Sequence, residues 1–186
     1  MIVHTRRLSL VPSTAELARG ELRGPAALGE LLGVHVPEVW PPDLYDEGAI
    51  GYWLSLLEND PSSAGWCAYY FVLRDASPRA TLIGAGGYKG KPDIEGTVEI
   101  GYSILAAYRR RGFASEAAGG LVANAFEDGR VTRVIAETLP ELGASIGVLE
   151  KNGFRLIGDG SEPGVIRFEL RRREYVPAAA APNATS

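Results

Sequence analysis

The stretch from residue 98 to residue 114, VEIGYSILAAYRRRGFA, decides how this chain is organised. Its first seven residues predict a β-strand over 98–104, which leads into three arginines and a glycine at 109–112. An apolar stripe with helical spacing then predicts a helix over 112–126, through Ala117, Ala118, Leu121, Val122, Ala125 and Phe126. The sequence therefore predicts that an arginine- and glycine-rich loop joins a strand directly to the start of a helix.

Such a loop is suited to binding an anion. The first backbone N–H groups of a helix have no partners inside the helix, and the helix dipole favours negative charge there. Gly112 allows close approach of the backbone to a phosphate, Ala114 is small, and the arginines add charged donors. The loop lacks the Gly-Lys-Ser/Thr of a nucleotide-triphosphate loop and the three spaced glycines of a dinucleotide site. The alternative is an ordinary strand–helix turn with solvated arginines.

The elements on either side of this loop predict a mixed sheet with helices on its faces. Upstream, strands are predicted over residues 5–11, 66–74, 80–88 and 97–105, with a turn at 75–78. A capping-box pattern at 13–16 starts one helix, and residues 43–57 are predicted as a second helix or a helix pair. Downstream, a strand over 131–138 and a helix over 144–151 precede strands over 154–157 and 165–171.

Composition restricts the classes of protein that remain. The 186 residues, 46% of them hydrophobic, predict one domain over 1–175 and a disordered tail over 176–186. A net charge of −4 argues against nucleic-acid binding. One cysteine excludes an internal disulfide, and the two histidines show no metal-ligand spacing, so no metal is expected. With no signal core and no run of transmembrane length, we expect a cytoplasmic protein without a membrane partner.

The loop and its surroundings resemble the acetyl-CoA site of the GNAT acetyltransferases. The Arg-x-x-Gly-x-Ala pattern at 109–114 is preceded by Glu99–Ile104 and Tyr108, and is followed by Glu116 and by residues 144–154, in the family's order. The opening residues 5–10 resemble the branch that includes the ribosomal-protein N-terminal (Rim-type) acetyltransferases. The resemblance spans residues 5–172.

The resemblance implies an α/β (α+β) fold of GNAT type. Its mixed, mostly antiparallel sheet is splayed between the fourth and fifth strands, here 97–105 and 131–138, and helices cover both faces. Acetyl-CoA is the implied co-substrate, with its pantetheine arm in the splay and its acetyl carbonyl near the Ile104 N–H. The implied cofactor-binding residues are Tyr102, Ser103, Ile104, Arg109, Arg110, Arg111, Gly112, Phe113, Ala114 and Ser115.

The implied catalytic residues are Glu99 and Ser145. Glu99 is the candidate general base, directly or through a water; the alternative is a solvent-facing strand residue. Ser145 matches the residue that protonates the leaving thiolate in this branch, and its alternative role is that of a helix-start serine. Many relatives use a tyrosine instead, at a position that is Leu149 here. Glu162 is a second base candidate.

One departure from the branch concerns cofactor binding. Leu142 stands where an asparagine usually contacts the cofactor, and this predicts a rearranged helix start and weaker cofactor binding.

Two functions therefore stay open. The first is an N-acetyltransferase acting by direct attack of a primary amine, either a small molecule or a peptide or protein N-terminus. The second is a catalytically weak CoA-binding sensor or interaction module.

The acceptor site and the oligomeric state are predicted less directly. Aromatic residues of the early helices and the first central strand could line an acceptor pocket or belong to the core: Trp40, Tyr45, Tyr52, Trp53, Tyr69 and Tyr70. The family resemblance and an exposed last strand, 165–171, suggest a homodimer.

Overall fold

A computed structural model describes residues 1–74 and 79–177. Within these ranges the strands are β1 (Val3–His4), β2 (Leu8–Pro12), β3 (Ala68–Leu73), β4 (Thr81–Tyr88), β5 (Thr97–Ile104), β6 (Arg133–Thr138), β7 (Arg155–Asp159) and β8 (Ile166–Arg171). The α-helices are α1 (Ala15–Leu22), α2 (Pro25–Leu32), α3 (Glu47–Asn59), α4 (Phe113–Glu127) and α5 (Gly143–Lys151). The turn predicted at 75–78 and residues 178–186 of the predicted tail lie outside the described residues.

The strands form one sheet in the order β1-β2-β3-β4-β5-β6-β8-β7. Neighbours are antiparallel except β5 and β6, which run parallel. Their pairing runs from Thr97 opposite Arg133 to Ile100 opposite Ala136, and β5 then continues to Ile104 without β6 beside it. The predicted mixed, mostly antiparallel sheet and its splay are confirmed. The splay falls between the fifth and sixth strands because the chain forms one strand more than predicted.

That additional strand comes from the opening segment. A single strand was predicted over 5–11, but a turn at residues 5–7 divides the segment into β1 and β2. The Leu8 N–H donates to the Thr5 hydroxyl at 3.0 Å, and the Thr5 N–H donates to the Leu8 carbonyl at 2.9 Å. This local hydrogen bonding competes with extended backbone, which is why the strand folds back on itself.

The early helices differ from the prediction in two places. Thr14, not Ser13, caps α1, since its hydroxyl accepts from the Leu17 N–H. The helix α2 was not predicted, although Pro25 at its start and the left-handed Gly33 at its end are ordinary helix boundary signals. These two helices and α3 cover one face of the sheet, whereas α4 and α5 pack on the other.

The last strand is not the exposed edge that was expected. β8 lies between β6 and β7 and buries Phe168, Glu169 and Leu170. The exposed edge is β7, every residue of which is exposed. Phe168 and Leu170 lie on the same face of β8, and their side chains join the core beneath α4 and α5. This burial explains why β8 lies inside the sheet, between β6 and β7. The homodimer itself stays a prediction.

Candidate active site

The splay between β5 and β6 opens into a cleft of about 1060 Å³. The Leu105 N–H donates to Ile83 of β4, so strand alternation turns the N–H groups of Tyr102 and Ile104 toward β6. β6 is paired with β5 only as far as Ile100. These N–H groups therefore face the cleft.

The start of α4 forms one end of the cleft. Gly112 is the N-cap residue, with a φ of 81° in the left-handed region and no side-chain capping bond. Gly112, Ala114 and Ser115 line the cleft, as does Phe113, whose ring is anchored in the core. No side chain occupies the N-terminal N–H groups in the described structure, so an anion in the cleft would meet donors aligned with the helix dipole.

The three arginines of the loop have three different roles. Arg109 donates to the Ile104 carbonyl at 2.8 Å and to the Asp43 carboxylate at 2.7 Å. Arg111 lies over the Phe113 ring, 5.1 Å from its centroid, and does not line the cleft. Arg110 is left-handed at φ 59°, is exposed, lines the cleft, and forms no ion pair among the described residues. Arg110 is thus the arginine best able to meet an anionic ligand.

The opening turn supports the loop through Glu116 of α4. One Glu116 carboxylate oxygen accepts from the Thr5 hydroxyl at 2.7 Å and from the Arg7 N–H at 2.5 Å; the other accepts from Arg7 Nε at 2.7 Å. Arg7 also donates to the Arg111 carbonyl at 3.1 Å. Burial by itself would raise the pKa of Glu116, but these donors and the Arg7 charge lower it.

We expect Glu116→Gln to destabilise the fold by about 1–3 kcal/mol near pH 7, because hydrogen bonds to a charged group are lost. The lowered folded pKa means that this stabilisation is complete above the ordinary value of 4.5 and is lost as the pH falls through the folded pKa. Urea unfolding of both proteins from pH 3 to pH 7 measures the difference. Glu127→Gln, at the exposed end of the same helix, is the control. A difference that does not shrink at low pH would contradict this role for the Glu116 charge.

Ser145 lies opposite β5 on α5 and lines the cleft. Its hydroxyl oxygen is 3.5 Å from the Tyr102 hydroxyl, which also donates to the Ser145 carbonyl at 3.3 Å. Burial raises the pKa of Tyr102 to about 12, although the Ser145 contact acts against this, so the phenol keeps its proton at neutral pH. The structure thus adds the Tyr102 hydroxyl beside Ser145. Leu149, where relatives have a tyrosine, is buried in the core.

The carboxylate candidates differ in their access to the cleft. Glu99 does not line it; its carboxylate pairs with Lys89, which does. Glu162 is exposed and lines the cleft directly. Glu137, at the end of β6, also lines it and is held by Arg167 at 2.6 Å and by the Ser161 hydroxyl at 2.6 Å. Of the two base candidates, Glu162 therefore has direct access to the cleft and Glu99 does not.

Sequence reasoning did not name several cleft residues, among them Lys89, Glu137 and Ser161. Lys89 and Ser161 lie between predicted strands and Glu137 near the end of one, so only the tertiary structure brings them to the cleft. Leu142, at the departure from the family pattern, also lines the cleft, and it caps α5 without a side-chain hydrogen bond. The predicted rearrangement of the helix start and its effect on cofactor binding both stay predictions.

The aromatic residues considered for an acceptor pocket divide between pocket and core. Tyr45 and Trp53 line a second, smaller pocket beside the cleft. Trp40, Tyr69 and Tyr70 are buried, and Tyr52 is 55% exposed.

Among residues 1–74 and 79–177 no helix has the length and apolar character needed to cross a membrane. Those same ranges hold no cluster of three metal-ligating His, Cys, Asp or Glu side chains.

Comparisons with known proteins agree with this geometry. The acetyltransferase (GNAT) domain profile matches residues 24–155. The chain is 31% identical to the uncharacterized N-acetyltransferase YjdG of Bacillus subtilis (strain 168) over 125 residues, 67% of this chain and 72% of YjdG.

Solved structures of other acetyltransferases share the fold, and two of them illustrate it. A GNAT-family acetyltransferase from Bacillus anthracis has a TM-score of 0.62 and 21% identity, covering 94% of this chain and 100% of that one. Mycobacterium smegmatis RimJ, in complex with CoA-disulfide, has a TM-score of 0.62 and 20% identity, covering 94% and 88%. The loop, the splayed sheet and these matches lead to one conclusion: the chain belongs to the GNAT acetyltransferases, a family whose co-substrate is acetyl-CoA.

Proposed function

We propose that this protein transfers the acetyl group of acetyl-CoA to a primary amine, of a small molecule or of a peptide or protein N-terminus, by direct attack. The observation that carries the proposal is the cleft at the splay, which joins an uncapped helix N-terminus to unpaired strand N–H groups. The first is suited to a pyrophosphate and the second to a pantetheine amide or a thioester carbonyl.

In the proposed complex the residues from Arg110 to Ser115 hold the pyrophosphate, and Arg109 shapes the loop through Asp43. Support for this division comes from the exposed Arg110 guanidinium and the occupied side chain of Arg109. The main chain of Tyr102, Ser103 and Ile104 binds the pantetheine arm, and the Ile104 N–H polarises the acetyl carbonyl.

The reaction needs one group to take a proton and another to supply one. The amine lone pair attacks the thioester carbonyl carbon, so an N–C bond forms and the C–S bond breaks. The amine proton passes to the base, Glu99 through a water or Glu162 directly, and the leaving thiolate receives a proton from Ser145. The Tyr102 hydroxyl beside Ser145 supports this assignment, because it is a second protonated donor at the same place.

Two measurements test the proposed function. Calorimetric titration with acetyl-CoA measures cofactor binding, and mass spectrometry of CoA release with a panel of amines measures turnover. Binding with amine-dependent release is the expected result. Binding without release for any amine would favour the CoA-binding sensor, a reading to which Leu142 at the uncapped start of α5 gives some support. No binding would exclude both readings.

We expect Ser145→Ala to lower turnover by about 100-fold with little change in acetyl-CoA affinity, because the hydroxyl acts on charge that appears only in the transition state. Glu99→Gln should lower turnover to a similar extent near neutral pH and recover partly as rising pH deprotonates the amine in solution. Steady-state and pre-steady-state rates across pH measure both effects.

Glu162→Gln is the matched comparison for Glu99→Gln, because the same carboxylate-to-amide change is made at the other base candidate. A loss of turnover in Glu162→Gln but not in Glu99→Gln would assign the role of general base to Glu162. If Ser145→Ala and Glu99→Gln both keep turnover near the wild-type value at every pH while chemistry limits the rate, both roles are wrong.

A further inference from the structure

A second pocket of about 160 Å³ opens beside the cleft, between α3 and the sheet. The two spaces share five lining residues, Leu44, Lys89, Gly101, Tyr102 and Ser103. Gly101 and Ser103 alternate with Tyr102 along β5, so they face α3 whereas the Tyr102 side chain faces α5. A ligand that reaches the reacting carbonyl from the α3 side therefore passes this pocket.

The walls of the pocket are apolar and small. Tyr45, Ala49 and Trp53 form one side, and Ala85 and Gly86 of β4 form the other. The Tyr45 hydroxyl is turned away from solvent and donates to the buried Glu21 at 3.2 Å, so Tyr45 offers its ring to the pocket. A compact aliphatic or aromatic group matches such walls better than a polar group, which would lose its hydrogen bonds to water there.

Two residues at the mouth also point to an apolar ligand. Leu44 is left-handed at φ 62° and its side chain is 90% exposed, although it lines both spaces. Strained backbone at a non-glycine residue is concentrated at ligand-binding sites, and an apolar ligand would cover this side chain. Lys89 lies at the same mouth, paired with Glu99, and its charge disfavours ligands that carry several cations.

We propose that this pocket receives the apolar group of the acceptor, which makes the acceptor class a primary amine with a compact aliphatic or aromatic substituent. The inference rests on the proposed acetyl transfer. The amine nitrogen lies in the cleft beside Gly101 and the thioester, and the substituent lies between Trp53 and β4. Polyamines and amino sugars are disfavoured by the apolar walls, where their additional polar groups would lose hydrogen bonds to water.

Ala49→Leu tests the proposal. Ala49 lies on α3 and lines the pocket but not the cleft, so a larger side chain there occupies the pocket without reaching the reacting atoms. We expect kcat/KM for 2-phenylethylamine to fall by about 10- to 100-fold, while kcat/KM for methylamine changes by less than about threefold. The acetyl-CoA affinity, measured by calorimetry, should stay unchanged.

Gly51→Leu is the matched control, because Gly51 lies on α3 away from the pocket and an added Cβ there meets nothing within 4 Å. If Ala49→Leu does not fold, Gly101→Leu replaces it: a Cβ there meets nothing within 4 Å, and its readout is the binding of 2-phenylethylamine to the CoA-saturated protein. Wild-type preference for spermidine or glucosamine over 2-phenylethylamine would overturn the inference. So would an equal loss for all amines in Ala49→Leu.

The inference and the proposed function fail in different ways. If acetyl-CoA binds but no amine is acetylated, the transfer proposal fails, and the pocket is then tested by NMR titration of 2-phenylethylamine into the CoA-saturated protein. Saturable binding that Gly101→Leu and Ala49→Leu weaken, but Gly51→Leu does not, supports the pocket. Absence of binding, or binding that both filling variants leave unchanged, refutes it.

Discussion

Gly112→Glu is expected to abolish acetyl-CoA binding, with an affinity loss of more than about 100-fold. The φ of 81° at Gly112 is strained for any side chain, and an added Cβ would lie 3.4 Å from an Arg7 nitrogen. Glutamate also places a negative charge at the N-terminus of α4, where the proposal puts the pyrophosphate. Steric and electrostatic effects therefore act in the same direction, and calorimetric titration with acetyl-CoA measures their sum.

Gly33→Glu is the control for the backbone strain in that experiment. Gly33 has a φ of 68°, a Cβ added there meets nothing within 4 Å, and it ends α2 away from the cleft. Both variants carry the same change in a left-handed position, so only the effect of the site differs between them. Unchanged acetyl-CoA affinity in folded Gly112→Glu would show that the cofactor binds elsewhere.

Glu21→Ala is expected to lower the free energy of unfolding by about 3–5 kcal/mol, because each buried donor left without an acceptor costs about 1–3 kcal/mol. Glu21 is 5% exposed and accepts from Trp40 Nε1 at 2.8 Å and from the hydroxyls of Tyr70 at 2.7 Å and Tyr45 at 3.2 Å. Alanine leaves these donors buried without an acceptor and adds a cavity. Urea unfolding measures the loss, and Glu16→Ala, exposed on the same helix, is the control.

The pH dependence of Glu21 has the opposite sign to that of Glu116. Burial raises the pKa of Glu21 above the ordinary value of 4.5, although its three aromatic donors act against this. The folded protein then holds this proton more tightly than the unfolded chain, so the contribution to stability falls as the pH rises from about 4.5 through the folded pKa. Glu21→Gln should remove this slope from the unfolding free energy. A slope that persists in Glu21→Gln would assign it to another group.

Local signals predicted most of the fold. Gly112 at the start of α4, the apolar stripe of that helix and the Asn152-Gly153 end of α5 each depend on a few neighbouring residues. Where the prediction was wrong, a tertiary contact or a competing local hydrogen bond decided the structure. The turn after β1 follows from hydrogen bonds between Thr5 and Leu8, and β8 lies inside the sheet because Phe168 and Leu170 join the core.

The candidate site, like the fold, was predictable only where its signals are local in the sequence. Residues 109–115 were predicted as an anion-binding loop because their chemistry is contiguous in the chain. Their separate roles were not predictable, since Arg109 is occupied by Asp43, 66 positions away, and Arg111 by the rings of Tyr108 and Phe113. The Tyr102–Ser145 hydroxyl pair likewise joins residues 43 positions apart.

By itself the sequence determined the family and the order of the elements from β3 onward, because both are encoded in short windows by periodicity, turn residues and motif spacing. The same windows predict the anion-binding loop. Only the tertiary structure decided which arginine faces the cleft, which carboxylates reach it, and that Tyr45 and Trp53 line a pocket while Tyr70 holds Glu21 in the core. The physical reason is that access and burial depend on contacts between distant segments. The splay of β5 from β6 opens the cleft between such segments, and no short stretch of the chain contains it.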